Sequence, residues 1–285
     1  MGTYKIKDLE VLTGIKAGTI RMWEKRYGIL VPERTETKIR MYNDEELKSL
    51  LCISLLNKRG VKISRIAYMS EEEINQVLDS RDEGEDSSEL EQQLLLALVE
   101  LDEHRFMSAL HQLIDKEGFE ESFSAYLIPF LERIGIMWMV GSINPAQEHL
   151  VSNLIRQKLL SSLDQLPIHK KGKKVLLFLP EHELHELSLL FYHYYLRSKG
   201  YQTYYLGQCV PYEALVEAVK KIQPEVVLSS WIHGVDKEEI KGYFERLNAD
   251  LNVRLFAGGS QVEEHLTDLK SVLNPIRSMK DLDFI

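Results

Sequence analysis

Three changes of pattern along the 285 residues predict a multidomain chain of α and α/β parts. Two short helices and a polar hairpin open the chain, a long helical periodicity fills its middle, and four buried-strand runs separated by helix-length segments close it. The expected architecture is an N-terminal winged helix-turn-helix over 1–72, an acidic linker over 73–89, a four-helix bundle over 90–168 and a doubly wound parallel sheet over 172–285.

In the first part, Leu9 and Leu12 mark an apolar helix, Thr13-Gly14-Ile15 a turn, and Thr19 to Tyr27 a second helix. There Ile20 and Trp23 share one face at helical spacing, while Arg21, Lys25 and Arg26 point elsewhere, toward phosphates and base edges. A wing follows: Leu30 to Arg34, the polar hairpin Thr35-Glu36-Thr37-Lys38, then Ile39-Arg40-Met41-Tyr42. Arg34, Lys38, Arg40 and Tyr42 are expected to edge it with phosphate-contacting groups. Asn43-Asp44 caps a helix through Leu50, Ile53 and Leu56 that stops near Gly60, and Val61 to Ile66 form a small apolar element. Residues 1–70 hold 14 Lys+Arg against 8 Asp+Glu, a balance of +6, whereas the whole chain is at −9. The cations gather where a nucleic acid would sit, and the acidic remainder discourages indiscriminate binding.

The run Thr-Ile-Arg-x-Trp-Glu-x-Arg-Tyr-Gly-x-Leu-x-Pro-x-Arg, with Arg40-x-Tyr42 behind it, resembles the MerR family of transcription regulators over roughly the first 70 residues. That resemblance implies a double-stranded DNA operator and a dimer, because palindromic operators present two half-sites. The residues expected to contact or orient on DNA are Thr19, Arg21, Trp23, Lys25, Arg26, Tyr27, Arg34, Lys38, Arg40 and Tyr42.

Composition sets further bounds. With 44% hydrophobic and 28% charged residues the chain can bury two or three cores, and no apolar run is long enough to span a bilayer. Cys52 and Cys209 are too few and too far apart for a disulfide framework or a cysteine metal site. The N-terminus lacks the apolar core of a signal peptide, so a cytoplasmic protein without membrane contact is expected. Between Ser70 and Glu91 ten acidic residues face one arginine, and the stretch Ser80 to Ser88 contains no apolar residue, which reads as a flexible tether.

Beyond it, Leu94, Leu98, Leu101, Phe106, Leu110, Leu113, Phe123, Leu127, Phe130, Ile134, Leu154 and Leu159 keep helical spacing, with breaks at Gly118, Pro129, Gly141 and Asn144-Pro145. Strands are expected at Lys174–Leu179, Thr203–Leu206, Val226–Ser229 and Leu255–Ala257. Ligands of such sheets collect at the carboxyl ends of the strands. There lie Glu183-Leu184-His185-Glu186-Leu187-Ser188, Ser229-Ser230-Trp231-Ile232 and Gly258-Gly259. A loop histidine oriented by a carboxylate is a good metal ligand, and glycines let a flat ligand tail approach the backbone. His182 and His185 have a spacing suited to zinc, with no further cluster beside them, and no Gly-rich phosphate loop follows any strand.

The arrangement resembles the cobalamin-binding Rossmann-like domain, whose motif is Asp/Glu-x-His-x-x-Gly, then Ser-x-Leu/Thr, then Gly-Gly. Trp138 followed by Glu148-His149 is similar to the signature of the helical cap in CarH-type repressors. This implies cobalamin, as adenosylcobalamin or methylcobalamin, with His185 on its cobalt and with Trp138, Met139, Glu148, His149, Glu183, Ser188, Ser229, Ser230, Gly258 and Gly259 lining its site. Three positions depart from the pattern. Ser188 stands for the glycine where the nucleotide tail would thread, Trp231 is a ring large enough to fill the tail slot, and Met139 replaces the histidine of light-sensing members, against a photoadduct.

The expected protein is a sequence-specific repressor, not an enzyme, whose C-terminal half senses cobalamin or descends from a module that did. Ligand-controlled oligomerisation, as a homodimer or larger, would set its DNA affinity through avidity. The alternatives are a ligand-independent regulator with a closed pocket acting through protein partners, and a cobalamin-dependent methyltransferase or mutase subunit.

Overall fold

A computed structural model describes residues 3–35, 37–79, 87–139 and 143–284, excepting the side chains of residues 71, 75, 79, 136, 138, 139 and 284. The chain divides into two compact units, Met1–Leu154 and Ile155–Ile285.

The first unit opens with α1 (Ile6–Thr13) and α2 (Ala17–Tyr27). Both end on glycine for the same reason: Gly14 and Gly28 take left-handed φ of 72° and 64°, which turns each cap N–H back onto a carbonyl of the last turn. The wing is a pair of two-residue strands, β1 (Glu33–Arg34) and β2 (Arg40–Met41), paired antiparallel with Arg34 opposite Arg40. Tyr42 continues past β2 and exchanges backbone hydrogen bonds with Tyr4 at 2.9 and 2.8 Å, tying the wing to the start of the chain.

Helix α3 (Asp44–Lys58) begins in a reciprocal cap: the Asn43 side chain accepts the N–H groups of Glu45 and Glu46, and Glu46 takes the Asn43 N–H at 2.7 Å. It is buried almost all round, through Leu47, Leu50, Leu51, Ile53, Leu55 and Leu56, because α1, α5 (Glu71–Asp79) and α6 (Ser87–Glu100) pack about it. Val61 to Ile66, expected as a small apolar element, contains the one-turn helix α4 (Ile63–Ile66).

Helix α5 corrects the expected linker over 73–89. Its acidic count hid an apolar face at Ile74, Val77 and Leu78, and the Arg59 guanidinium binds the Val77 carbonyl. Of the expected tether, residues 80–86 lie outside the described residues. The head and the helices after it share one unit: Gln92 donates to the Thr13 carbonyl at 3.2 Å, and Lys48 pairs with Glu100 at 3.0 Å.

The bundle continues with α7 (Glu103–Glu117), α8 (Phe119–Glu121), a π-helical turn (Ser122–Leu127), α9 (Ile128–Met139) and α10 (Pro145–Asp164). Gly118 does separate α7 from α8, but Pro129 ends nothing. Proline lacks an N–H and crowds the carbonyl four residues back; the wider π turn just before it, closed by Ile128 N–H on Phe123 O, loosens that contact and lets the helix run on. Gly141 lies outside the described residues.

In the second unit, β3 (Lys174–Pro180), β4 (Gln202–Val210), β5 (Val226–Ser230), β6 (Arg254–Gly258) and β7 (Asn274–Pro275) form one parallel sheet in the order β4-β3-β5-β6-β7. Helices α11 (Leu187–Ser198), α12 (Tyr212–Ile222) and α13 (Lys237–Asp250) connect them. Alternate strand residues feed two cores. Val175, Leu177, Leu179, Val226, Leu228 and Phe256 meet α11, and Leu176, Phe178, Val227, Leu255 and Ala257 meet α12 and α13. The strand order reverses between β3 and β5, and the loops after those strands form the crevice where such folds take ligands. Strand β7 went unanticipated, since two residues ending in proline carry no strand pattern.

Gly259, at φ 101°, is the tightest backbone position: a Cβ there would stand 2.3 Å from the Trp231 carbonyl oxygen. Gly259→Ala should cost about 3 kcal/mol, read from urea unfolding. Gly234→Ala, in open space, should fall within about 0.5 kcal/mol of the parent.

Candidate DNA-binding face and sensor site

On α2, Ile20 and Trp23 turn inward, and Arg21, Lys25 and Arg26 are exposed, with Thr19 and Tyr27 half-buried beside them. The Arg26 guanidinium lies over the Tyr27 ring, 5.3 Å from its centre. Arg34 and Lys38 of the wing are exposed as well.

Three of the residues expected to contact or orient on DNA make contacts within the scaffold. Trp23 is 7% exposed and packs in the core, since the same spacing that joins it to Ile20 turns it from the cationic face. Tyr42 is 1% exposed, and burial together with the nearby Glu24 carboxylate pushes its phenol up to about 12. The Arg40 Nε sits 3.1 Å from both carboxylate oxygens of Glu24. Glu24, missed in the sequence reading, thus locks the wing to α2 and neutralises one of the two arginines that face each other across the hairpin. Its partner is 16 residues away, so no local pattern announces the pair.

In the second unit the carboxyl ends of β3 and β5 are joined by one side chain. Glu183, 3% exposed, accepts His185 N–H at 2.9 Å and the His185 ring Nδ1 at 2.6 Å, and it accepts Ile232 and His233 N–H at 2.7 Å each. Burial opposes its charge, but these four donors outweigh the burial and hold the carboxyl at about 2. Glu186, also buried, binds the Arg156 guanidinium and accepts the Tyr205 hydroxyl at 3.0 Å.

Trp231 does not fill a slot beside α11. It lies on the opposite face, its indole N–H on Ser229 Oγ at 2.9 Å and its ring against Tyr243 and Phe244 of α13. Ser230 faces α11, fully buried, with a hydroxyl that has no partner among the described residues. Opposite it in the sheet register stands Gly258, where an added Cβ would meet the Tyr192 hydroxyl at 2.5 Å and Ile276 at 3.4 Å. Gly258 and Gly259 therefore accommodate the chain's own Tyr192 ring and Trp231 backbone, which corrects the expectation that they leave room for a ligand tail. The imidazole backed by a carboxylate fits the cobalt end of a cobalamin; the closed slot does not fit its nucleotide tail. Ser188 sits in the first turn of α11, half-buried.

In the first unit, Glu148 and His149 pair at 3.0 Å in the first turn of α10, with His149 exposed. Trp138 and Met139 end α9, and their side chains lie outside the described residues. No group of three His, Cys, Asp or Glu able to hold a metal ion occurs among the described residues. No helix is long and apolar enough to cross a membrane among the described residues.

Because the Glu183 carboxyl is lowered from its ordinary 4.5 to about 2, its hydrogen bonds stabilise the fold above pH 4.5 and lose that contribution as pH falls toward 2. Glu183→Gln should flatten the fall in urea midpoint between pH 7 and pH 3; the full linkage is about 3 kcal/mol.

Residues 4–73 match the model of the MerR HTH family regulatory proteins, and residues 90–160 match that of the B12 binding domain. The HTH-type transcriptional repressor CarH of Myxococcus xanthus is 31% identical over 272 residues, 92% of this chain and 91% of its own. The HTH-type transcriptional repressor CarA of the same organism is 30% identical over 274 residues, 95% of this chain and 91% of its own. The HTH-type transcriptional regulator MlrA of Escherichia coli is 32% identical over 69 residues, 24% of this chain and 28% of its own. Similarity along nearly the whole of both repressors places the chain in the CarH and CarA family: it is a MerR-type DNA-binding transcription regulator with a B12-binding sensor module.

Proposed function

We propose that this regulator is a cytoplasmic repressor that binds a double-stranded operator as a homodimer or larger assembly and responds to a corrinoid held by its C-terminal half. The Glu183–His185 pair carries the reading. A ring Nδ1–H donating to a buried carboxylate fixes the tautomer in which Nε2 bears the lone pair, and it raises that nitrogen's basicity, so His185 is the residue that would hold cobalt. A bound cobalamin would supply that metal together with an adenosyl or methyl group. Ile232 and His233, held by the same carboxylate, keep the loops after β3 and β5 in place while the ring is engaged. Met139 in place of a histidine speaks against a light-driven adduct as the signal.

At the other end, Arg21, Lys25, Arg26, Arg34 and Lys38 supply the cations for phosphates and base edges, with Thr19 and Tyr27 flanking them. Trp23, Arg40 and Tyr42 hold the recognition helix and wing in register. The cap residues Trp138, Glu148 and His149 belong to the sensor half in this reading, as do Ser188, Ser229 and Ser230.

On a duplex selected by the protein from a random pool, Arg21→Ala should weaken binding by about 1–3 kcal/mol with an unchanged melting temperature, and should lower the salt slope by about one if the contact is to phosphate. Arg40→Ala should weaken binding too, and should also cost about 1 kcal/mol of stability by leaving Glu24 half-buried without its fork. Equal affinity of both variants and parent would remove α2 and the wing from the interface.

Titration with adenosylcobalamin in the dark should shift the visible spectrum of the parent, and His185→Ala should weaken that binding about tenfold or more. An identical titration of the variant would sink the role of His185 in holding cobalt.

A further inference from the structure

The space beneath the start of α11 is closed by the protein itself. Tyr192 is 7% exposed and its hydroxyl rests where a Gly258 side chain would begin, while Ile276, also 7% exposed, covers the same spot from the other edge of the sheet. Tyr192 follows Ser188 by one helical turn, so the two stand at i and i+4 on one side of α11. Farther along the helix, the Tyr195 hydroxyl bonds Asp283 at 2.5 Å and joins α11 to the last segment of the chain. Yet the slot keeps a polar feature that its own lining leaves unused: the Ser230 hydroxyl, fully buried, next to Gly258 in the register and without a partner among the described residues.

A cobalamin has two parts with different demands. The corrin's cobalt needs a donor nitrogen, which the Glu183–His185 pair would provide. The benzimidazole nucleotide needs apolar room of its own, and Tyr192 fills the space against Gly258 at the end of β6. We propose that Tyr192 is the specificity-determining residue of the sensor: by filling the slot between α11 and the ends of β5 and β6, it makes a corrinoid without the nucleotide tail, of the cobinamide class, the better ligand. This rests on the reading that His185 takes cobalt, and it adds which corrinoid fits. Burying a bulky tail against a filled, close-packed slot requires moving the ring out, and that repacking is charged to the tail-bearing ligand alone.

Full-length protein is titrated in the dark with aquocobalamin and with diaquocobinamide, read by visible absorbance and tryptophan quenching. Cobinamide should bind the parent about tenfold tighter or more. Tyr192→Ala should raise cobalamin affinity about tenfold while leaving cobinamide nearly unchanged, and Tyr192→Phe should keep the parent's preference. Adding Ser230→Ala to Tyr192→Ala should take back part of the gained cobalamin affinity, since the hydroxyl then has a tail to bind. Should Tyr192→Ala fail to fold, Tyr192→Val keeps an apolar filling and serves in its place; the change in the ratio of the two corrinoids between parent and variant is the measure, since cobinamide has no base of its own to displace. Cobalamin binding the parent as tightly as cobinamide overturns the proposal while the His185 reading stands. Binding of neither corrinoid by the parent, or binding of both that His185→Ala leaves untouched, overturns that reading and the proposal with it.

Discussion

A single buried carboxylate organises the sensor end of this protein. Glu183 draws four N–H donors, two from the loop after β3 and two from the loop after β5, and thereby bridges the one place in the sheet where the strand order reverses. A charge so deeply placed is tolerable only because every lone-pair direction is answered, and the donors are mostly backbone groups that cannot swing away. The geometry of His185 follows from this arrangement. So does the path of Trp231, whose backbone N–H is held by the Gly258 carbonyl and whose own carbonyl takes the Gln261 N–H. Glycine at 259 is the consequence, because no side chain fits against that carbonyl.

The DNA-binding end is organised by the same kind of economy with a different anchor. The Thr13 carbonyl, at the end of α1, accepts the Ser54 hydroxyl from α3 and the Gln92 amide from α6. The turn of the helix-turn-helix is therefore read by the first helix of the bundle, and any shift of α6 is felt where α1 hands over to α2. Glu24 fixes the other border, between α2 and the wing.

Much of this was legible in the chain. Glycines at 14 and 28, the Asn43 to Glu46 box and the alternating runs of the sheet are local, and local chemistry writes itself into short patterns. The Glu-x-His spacing was legible for the same reason, since the two side chains meet across one residue. What escaped was nonlocal or double-valued. Trp23 and Tyr42 are aromatic residues among cations and read equally as contacts or core; only their burial in the folded unit decides. Helix α5 hid behind its acids, because a charge count ignores which face the charges occupy. The Gly-Gly pair is the sharpest case: small residues show that something comes close, and the sequence is silent on whether that something is a ligand or Tyr192.

The π turn at Ser122–Leu127 has one further consequence. A turn of that kind carries one residue more than the α-helix around it, which advances the angular phase of everything downstream by about 100°. The register of α9 at its far end, where the cap signature begins, is thus set by a single surplus residue about three turns earlier. Removing that residue would leave the composition of α9 intact while rotating its register, a way for close relatives to re-aim the end of the helix without altering any residue on it.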